Sequence, residues 1–120
     1  MTKVLIAEDE RDIRELISFT LRFHGFDVVT AKDGEEALEL ALKEHPHMVL
    51  LDIRMPRMSG YEVCRLIKDN EATKHIPVIF ISAKGQESEV KEGMDAGAAD
   101  YILKPFSPDQ LIERVTALLP

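Results

Sequence analysis

The chain has 120 residues, the length of one domain with enough interior for its own core, and its 45% hydrophobic and 31% charged residues exclude a disordered or fibrous chain. Fifteen Lys and Arg against 22 Asp and Glu give a net charge of -7, so the chain is poorly suited to neutralise a phosphate backbone and direct nucleic-acid binding is not expected. The lone Cys64 excludes an internal disulfide, no secretory leader or spanning apolar run of ~20 residues is visible, and the reading is a soluble, cytoplasmic chain with no membrane role.

Short β-branched apolar runs alternate with longer amphipathic stretches from end to end, which implies a parallel α/β sheet. The first run, Lys3 to Glu8, precedes a helix that presents Ile13, Leu16, Ile17 and Leu21 on one face. That helix stops at Gly25, a natural residue for the left-handed turn beyond a helix end. A second strand, Asp27 to Ala31, leads to a helix opened by Asp33 with Glu36, facing inward with Ala37, Leu38, Ala41 and Leu42 and ending before Pro46. The third strand, Met48 to Asp52, is followed by a helix opened by Ser59 with Glu62. After a fourth strand, Pro77 to Ser82, the helix from roughly Glu87 to Ala96 is the weakest. It holds Gly93 and has only Val90 and Met94 as inward anchors, so it is expected to be the most mobile. The strand Asp100 to Lys104 and a helix opened by Ser107, Pro108 and Gln110 complete the chain. The first, third and fourth strands are nearly unbroken apolar runs and are expected at the centre. The expected fold is α/β, one doubly wound five-stranded parallel sheet with five helices and right-handed crossovers, with residues 1–120 as one domain.

In such sheets ligands bind beyond the carboxyl ends of the strands. Strand one ends in Glu8 and Asp9, strand three in Asp52, strand four in Ser82 and strand five in Lys104. Any one of these could simply cap the helix that follows, but capping does not explain three carboxylates, a hydroxyl and an amine arriving together. Two carboxylates ~4 Å apart repel by up to ~4 kcal/mol at an effective dielectric near ~20, so three converging ones call for a cation or a proton. Oxygen donors alone select a hard ion, and Mg2+ fits, with Asp9 and Asp52 as direct ligands and Glu8 acting through a water. A carboxylate can also attack phosphorus, which makes Asp52 the candidate phosphoacceptor. Lys104 would help neutralise the phosphoryl oxygens, and Ser82 would donate to one of them.

The stretches Val4-Leu-Ile-Ala-Glu-Asp9, Leu50-Leu-Asp-Ile-Arg-Met-Pro-Arg-Met-Ser-Gly60, Ile81-Ser-Ala83 and Asp100-Tyr-Ile-Leu-Lys-Pro-Phe106 together resemble the receiver domains of bacterial two-component response regulators. The likeness covers the whole chain. It implies the flavodoxin-like strand order 2-1-3-4-5, a metal contact from the backbone carbonyl of Arg54, and a cis bond between Lys104 and Pro105. It implies a switch in which Ser82 moves toward the phosphoryl group, Tyr101 turns inward, and the surface of helix four, strand five and helix five changes. Arg54 and Lys84, two residues beyond Asp52 and Ser82, would control the lifetime of the phosphorylated state. The phosphodonor would be a sensor histidine kinase or a phosphotransfer protein, and the downstream partner a protein not identified by the sequence. The chain would phosphorylate and dephosphorylate itself and would not be a turnover enzyme. In receivers that drive winged-helix transcription factors, charges on that same surface form a dimer. Here Val90, Ala99, Gln110 and Thr116 stand at several of those positions, with Asp100 and Arg114 left, so a monomer is expected.

Cys64 reads as a buried structural thiol. His24, His45, His47 and His75 read as surface residues in turns, and Met55, Met58 and Met94 as packing or loop residues. Three other functions compete. A phosphohydrolase of the haloacid-dehalogenase type would repeat an Asp where Arg54 stands, and a flavodoxin-type nucleotide module would need a Gly-rich or hydroxyl-rich loop after strand one. A degenerate receiver serving only as a docking module would lack some of the five site residues present here.

Overall fold

The computed structural model describes residues 2–83 and 87–119. Strands and helices alternate as β1 (Lys3–Ala7), α1 (Arg11–Phe23), β2 (Asp27–Ala31), α2 (Gly34–Glu44), β3 (Met48–Asp52), α3 (Gly60–Asp69), β4 (Val78–Ala83), α4 (Glu87–Asp95), β5 (Asp100–Lys104) and α5 (Pro108–Ala117). The five strands form one parallel sheet in the order β2-β1-β3-β4-β5, with the three apolar runs at its centre.

Side chains on a strand alternate between faces, and here the alternation sorts the core into two layers. Val4 and Ile6 of β1, Met48 and Leu50 of β3, and Ile79 and Ile81 of β4 pack with Ile17 and Leu21 of α1 and Leu111 and Val115 of α5. Leu5 and Ala7, Val49 and Leu51, and Val78 and Phe80 face the other way, onto Ala37 and Ala41 of α2 and Val63, Cys64 and Ile67 of α3. Both layers are closed to solvent, as expected of a parallel sheet covered on each face.

Helix starts follow the sequence signals. Asp33 and Ser59 each accept a hydrogen bond from the backbone N–H three residues on, and Ser107 with Gln110 forms the full reciprocal box with Pro108 at the first position. Beyond α1, Gly25 has φ +89°, the left-handed conformation that a glycine adopts without penalty.

Several expectations are corrected. Strand β1 ends at Ala7 and not Glu8: the Glu8 N–H still donates to the Ala31 carbonyl, but the Glu8 carbonyl accepts from the Arg14 side chain. Strand β4 runs one residue later than expected, since Pro77 has no N–H to donate and contributes only its carbonyl, which accepts from Val49. Leu16 and Leu42 are exposed. The buried stripe of α1 runs through Ile17 and Leu21 with Ser18 and Thr20, whose hydroxyls donate to their own helix at Arg14 and Leu16 and so enter the interior satisfied. On α2 the small Ala37 and Ala41 make the close approach. Helix α4 ends at Asp95, and Met94 is exposed. Its contact with the sheet is made through buried Gly93, where a Cβ would lie 2.6 Å from Cδ2 of Phe80.

Candidate functional site

Strand alternation also arranges the polar residues. Glu8 continues the parity of Val4 and Ile6, Asp52 that of Met48 and Leu50, and Lys104 that of Ile102, so all three turn toward the α1 and α5 side at the carboxyl edge of the sheet. Ser82 and Tyr101 have the opposite parity and lie on the α2 and α3 side, where Tyr101 packs half-buried against the core.

The structure brings Glu8, Asp9 and Asp52 together, with one carboxylate oxygen from each lying within 4.8 Å of the others. Their burial differs sharply: Glu8 is fully enclosed, Asp52 is 7% exposed and Asp9 is open to solvent. The Lys104 ammonium lies 3.1 Å from Oε1 of Glu8 and 3.8 Å from Oδ2 of Asp52. Oε2 of Glu8 accepts from the Glu10 N–H at 3.1 Å, while buried Oε1 has the ammonium as an ion-pair neighbour and no hydrogen bond. Oδ1 of Asp52 accepts a long bond, 3.4 Å, from the Arg54 N–H.

Among the described residues, Lys104 is the cation seen in contact with these carboxylates. Burial, and after it the charge of Glu8, push Asp52 up to about 8, against the opposing pull of Lys104 and the Arg54 N–H. Burial alone would depress Lys104, but Asp52 and Glu8, with a smaller contribution from Glu10, overcome it and raise the ammonium above its ordinary value. In the absence of a metal the cluster retains a proton near neutral pH. Oxygen donors only, one of them an enclosed anionic oxygen short of partners, fit a small hard divalent cation.

The loop after Asp52 is seated by close backbone approaches. A side chain on Gly60 would strike the carbonyl of Asp52 and Cα of Ile53, and Gly60 N–H donates to the Ile53 carbonyl at 2.9 Å. A side chain on Gly34 would strike Met58, which joins the start of α2 to the same loop. Arg57, at φ +72°, lies 3.9 Å from carboxylate oxygens of both Asp33 and Glu35. Met55 and Met58 pack against the core, Cys64 is buried with its thiol pushed up to about 11 by burial, and all four histidines are exposed.

Among the remaining candidates, Ser82 is buried near the end of β4 and the Lys104–Pro105 bond is cis. Arg54 is exposed beside Asp52, whereas Lys84 lies outside the described residues. On the face of α4, β5 and α5, Val90 is half-buried and Ala99, Gln110 and Thr116 are exposed. Both oxygens of Asp100 accept from Nη1 of Arg114, at 3.0 and 3.1 Å, so the two charges expected there pair within the chain. One group at the site has no sequence signature: Nη1 of Arg14 donates to the carbonyls of Glu8 and Asp9. Its position on an amphipathic helix carries no motif, and only the folded loop reveals the contact.

The family described as the response regulator receiver domain matches residues 4–116. The transcriptional regulatory protein ResD of Bacillus subtilis is 42% identical over 118 residues, covering 98% of this chain and 48% of that protein. PhoP of the same organism, the alkaline phosphatase synthesis transcriptional regulatory protein, is 39% identical over 117 residues with the same coverage. The chain thus spans about half the length of the curated relatives it matches. The chemotaxis response regulator CheY4 of Vibrio cholerae superposes with a TM-score of 0.94 at 33% identity, covering 99% of both chains. Because ResD and PhoP are transcriptional regulators, the expectation that no nucleic acid is involved gains no support from them; the acidity of this chain speaks only for its own surface.

Proposed function

The chain belongs to the response regulator receiver family, and we propose that it is a Mg2+-dependent phosphorylation switch whose phosphoryl group is carried on Asp52. The observation that carries this reading is the meeting of Glu8, Asp9 and Asp52 within 4.8 Å, with Lys104 reaching two of them. Response regulators are phosphorylated by histidine kinases, and the donor for this chain is a phosphohistidine of a sensor kinase or of a phosphotransfer protein.

An oxygen of Asp52 attacks phosphorus, the P–N bond to the donor imidazole breaks with its electron pair leaving on nitrogen, and an acyl phosphate remains on Asp52. Phosphoryl transfer asks the protein mainly for positioning and for neutralised equatorial oxygens. Lys104 supplies one positive charge from its place between Glu8 and Asp52. Ser82 donates to another phosphoryl oxygen. Asp9, Asp52 and the backbone carbonyl of Arg54 would hold the Mg2+, with Glu8 contributing through a water, and the ion would supply charge neutralisation and in-line orientation.

Movement of Ser82 toward the phosphoryl group opens space on the side of the sheet that it shares with Tyr101, whose ring then turns inward and changes the face formed by α4, β5 and α5. A downstream protein reads that face. Arg54 and Lys84 govern access of the hydrolytic water and so the lifetime of the signal. Residues 1–120 form one receiver unit that works in the cytoplasm, is a monomer by itself, and returns to its starting state by losing the phosphoryl group without turning over a substrate.

The test is intact mass after exposure to acetyl phosphate with Mg2+. A gain of one phosphoryl group that disappears in Asp52→Asn and without the metal is expected. Labelling of Asp52→Asn to the wild-type extent refutes the assignment, and continuous consumption of acetyl phosphate without a retained group points to a hydrolase.

A further inference from the structure

We infer that Arg14 is a positioning residue for the metal, holding the backbone that carries Glu8 and Asp9 although its own side chain offers the cation no ligand. The inference rests on the Mg2+ reading above. The turn between β1 and α1 has to deliver two adjacent carboxylates to one cation, one from a closed interior and one from solvent. Glu8 is tied on its amide side, where its N–H donates to the Ala31 carbonyl at 3.1 Å. On its carbonyl side it has no strand partner among the described residues, since β1 ends at Ala7.

Arg14 takes that place. Its Nη1 donates to the Glu8 carbonyl at 2.8 Å and reaches the Asp9 carbonyl at 3.4 Å, so one nitrogen spans both residues. The backbone of Arg14 is itself held within α1. The Arg14 N–H donates to the Glu10 carbonyl at 2.9 Å, and the Arg14 carbonyl accepts from Ser18 Oγ at 2.8 Å. The same turn has no side-chain cap at Glu10, whose N–H is instead taken up by the Glu8 carboxylate at 3.1 Å. The geometry of Glu8 therefore depends on Arg14 at its carbonyl and on Glu10 at its side chain. Asp9 depends on the backbone alone, since its carboxylate makes no hydrogen bond among the described residues.

Two effects of removing Arg14 have opposite signs, which makes the inference testable. A guanidinium near a divalent site repels the cation, so deleting the charge should tighten binding by Coulomb's law. Loss of a group that orients ligands should weaken it, by about tenfold at the low end of what such partners contribute.

Mg2+ binding is measured by titration calorimetry at pH 7 on wild type, Arg14→Met and Arg14→Lys, with urea unfolding of each in EDTA. Arg14→Met keeps much of the stem and is expected to raise the Kd about tenfold while still unfolding cooperatively. Arg14→Lys, which can still present one nitrogen to the two carbonyls, is expected to lie within about threefold of wild type. A Kd in Arg14→Met equal to or below that of wild type overturns the inference. So does loss of cooperative unfolding, which would make Arg14 a residue of the fold and not of the metal site. Failure of the wild-type protein to bind Mg2+ would instead overturn the metal reading itself.

Discussion

Replacing Asp52 by Asn removes the group whose ionisation the metal-free fold most opposes. Burial is the first cause and the charge of Glu8 the second, and together they lift the carboxyl to about 8 from its ordinary value of ~4. Between those two values the folded chain holds a proton on Asp52 that the unfolded chain has lost. The contribution of Asp52 to stability is therefore fully present below pH ~4 and is lost as pH rises through about 8. The steepest possible fall is ~1.4 kcal/mol per pH unit. The value of about 8 already contains the pull of Lys104, 3.8 Å away, so it is relaxation and water entry at the site that reduce the accumulated penalty, to on the order of 2 kcal/mol by pH 7.5.

Asn has nearly the same shape and no charge, and its carbonyl can keep the bond from the Arg54 N–H. In EDTA at pH 7.5, Asp52→Asn should accordingly be more stable than wild type by about 2 kcal/mol, which is roughly 8 °C in Tm for a chain of this length. At pH 4.5 the gap should shrink below about 0.5 kcal/mol. Saturating Mg2+ binds folded wild type and should narrow or reverse it, since a ligand at about a hundred times its Kd stabilises by ~2.7 kcal/mol. Urea unfolding followed by circular dichroism measures all three. A gap that does not change with pH, or an Asp52→Asn variant less stable than wild type at pH 7.5 without metal, refutes the electrostatic account of the cluster.

Gly93→Ala should destabilise by ~1–3 kcal/mol in the same assay, because its Cβ meets Phe80, a buried ring that also has Tyr61 edge-on at 5.6 Å; an unchanged midpoint would mean that α4 can back away freely. Neither Arg54 nor Lys84 offers an acceptor to orient a hydrolytic water, so the phosphorylated state should be long-lived. Arg54→Asn combined with Lys84→Glu should shorten its half-life, measured by loss of the phosphoryl mass, and an equal or longer half-life refutes that role. With Asp100 and Arg114 paired inside the chain, the protein should stay monomeric in sedimentation at tens of micromolar with beryllofluoride, whereas a tight activation-dependent dimer would show that other groups on that face supply the contact.

The fold was legible because two separate signals agreed. Unbroken apolar runs marked β1, β3 and β4 as the centre of the sheet, and the hydroxyl or carboxylate before each of α2, α3 and α5 marked where those helices start. Which side of each helix faces inward was less legible. Leu16, Leu42 and Met94 are apolar and lie at helical spacing, yet they are exposed, because the sheet is approached through smaller groups. Ala37, Ala41 and Gly93 let backbones come close, and a pattern that ranks residues by hydrophobicity undervalues them.

The site shows the same division. Its residue types could be read off the strand ends, because helix capping, which could explain any one of them, does not explain all of them meeting at one sheet edge. Depth could not be read that way: Glu8 and Asp9 are adjacent acids, and the sequence-based assignment of Asp9 as a direct ligand and Glu8 as a water-mediated one says nothing of their burial. The strand period separates them. Glu8 shares the parity of Val4 and Ile6 and so turns to the face that also receives Asp52 and Lys104, while Asp9 enters the loop and meets solvent. A carboxylate placed on that face must be paired, and the Lys104 ammonium at 3.1 Å is its partner. Lys104 is consequently shared between Glu8 and Asp52 before any phosphoryl group arrives. Under the proposed phosphorylation of Asp52 the ammonium would gain a stronger anion nearby and be redistributed between Glu8 and the new phosphoryl oxygens.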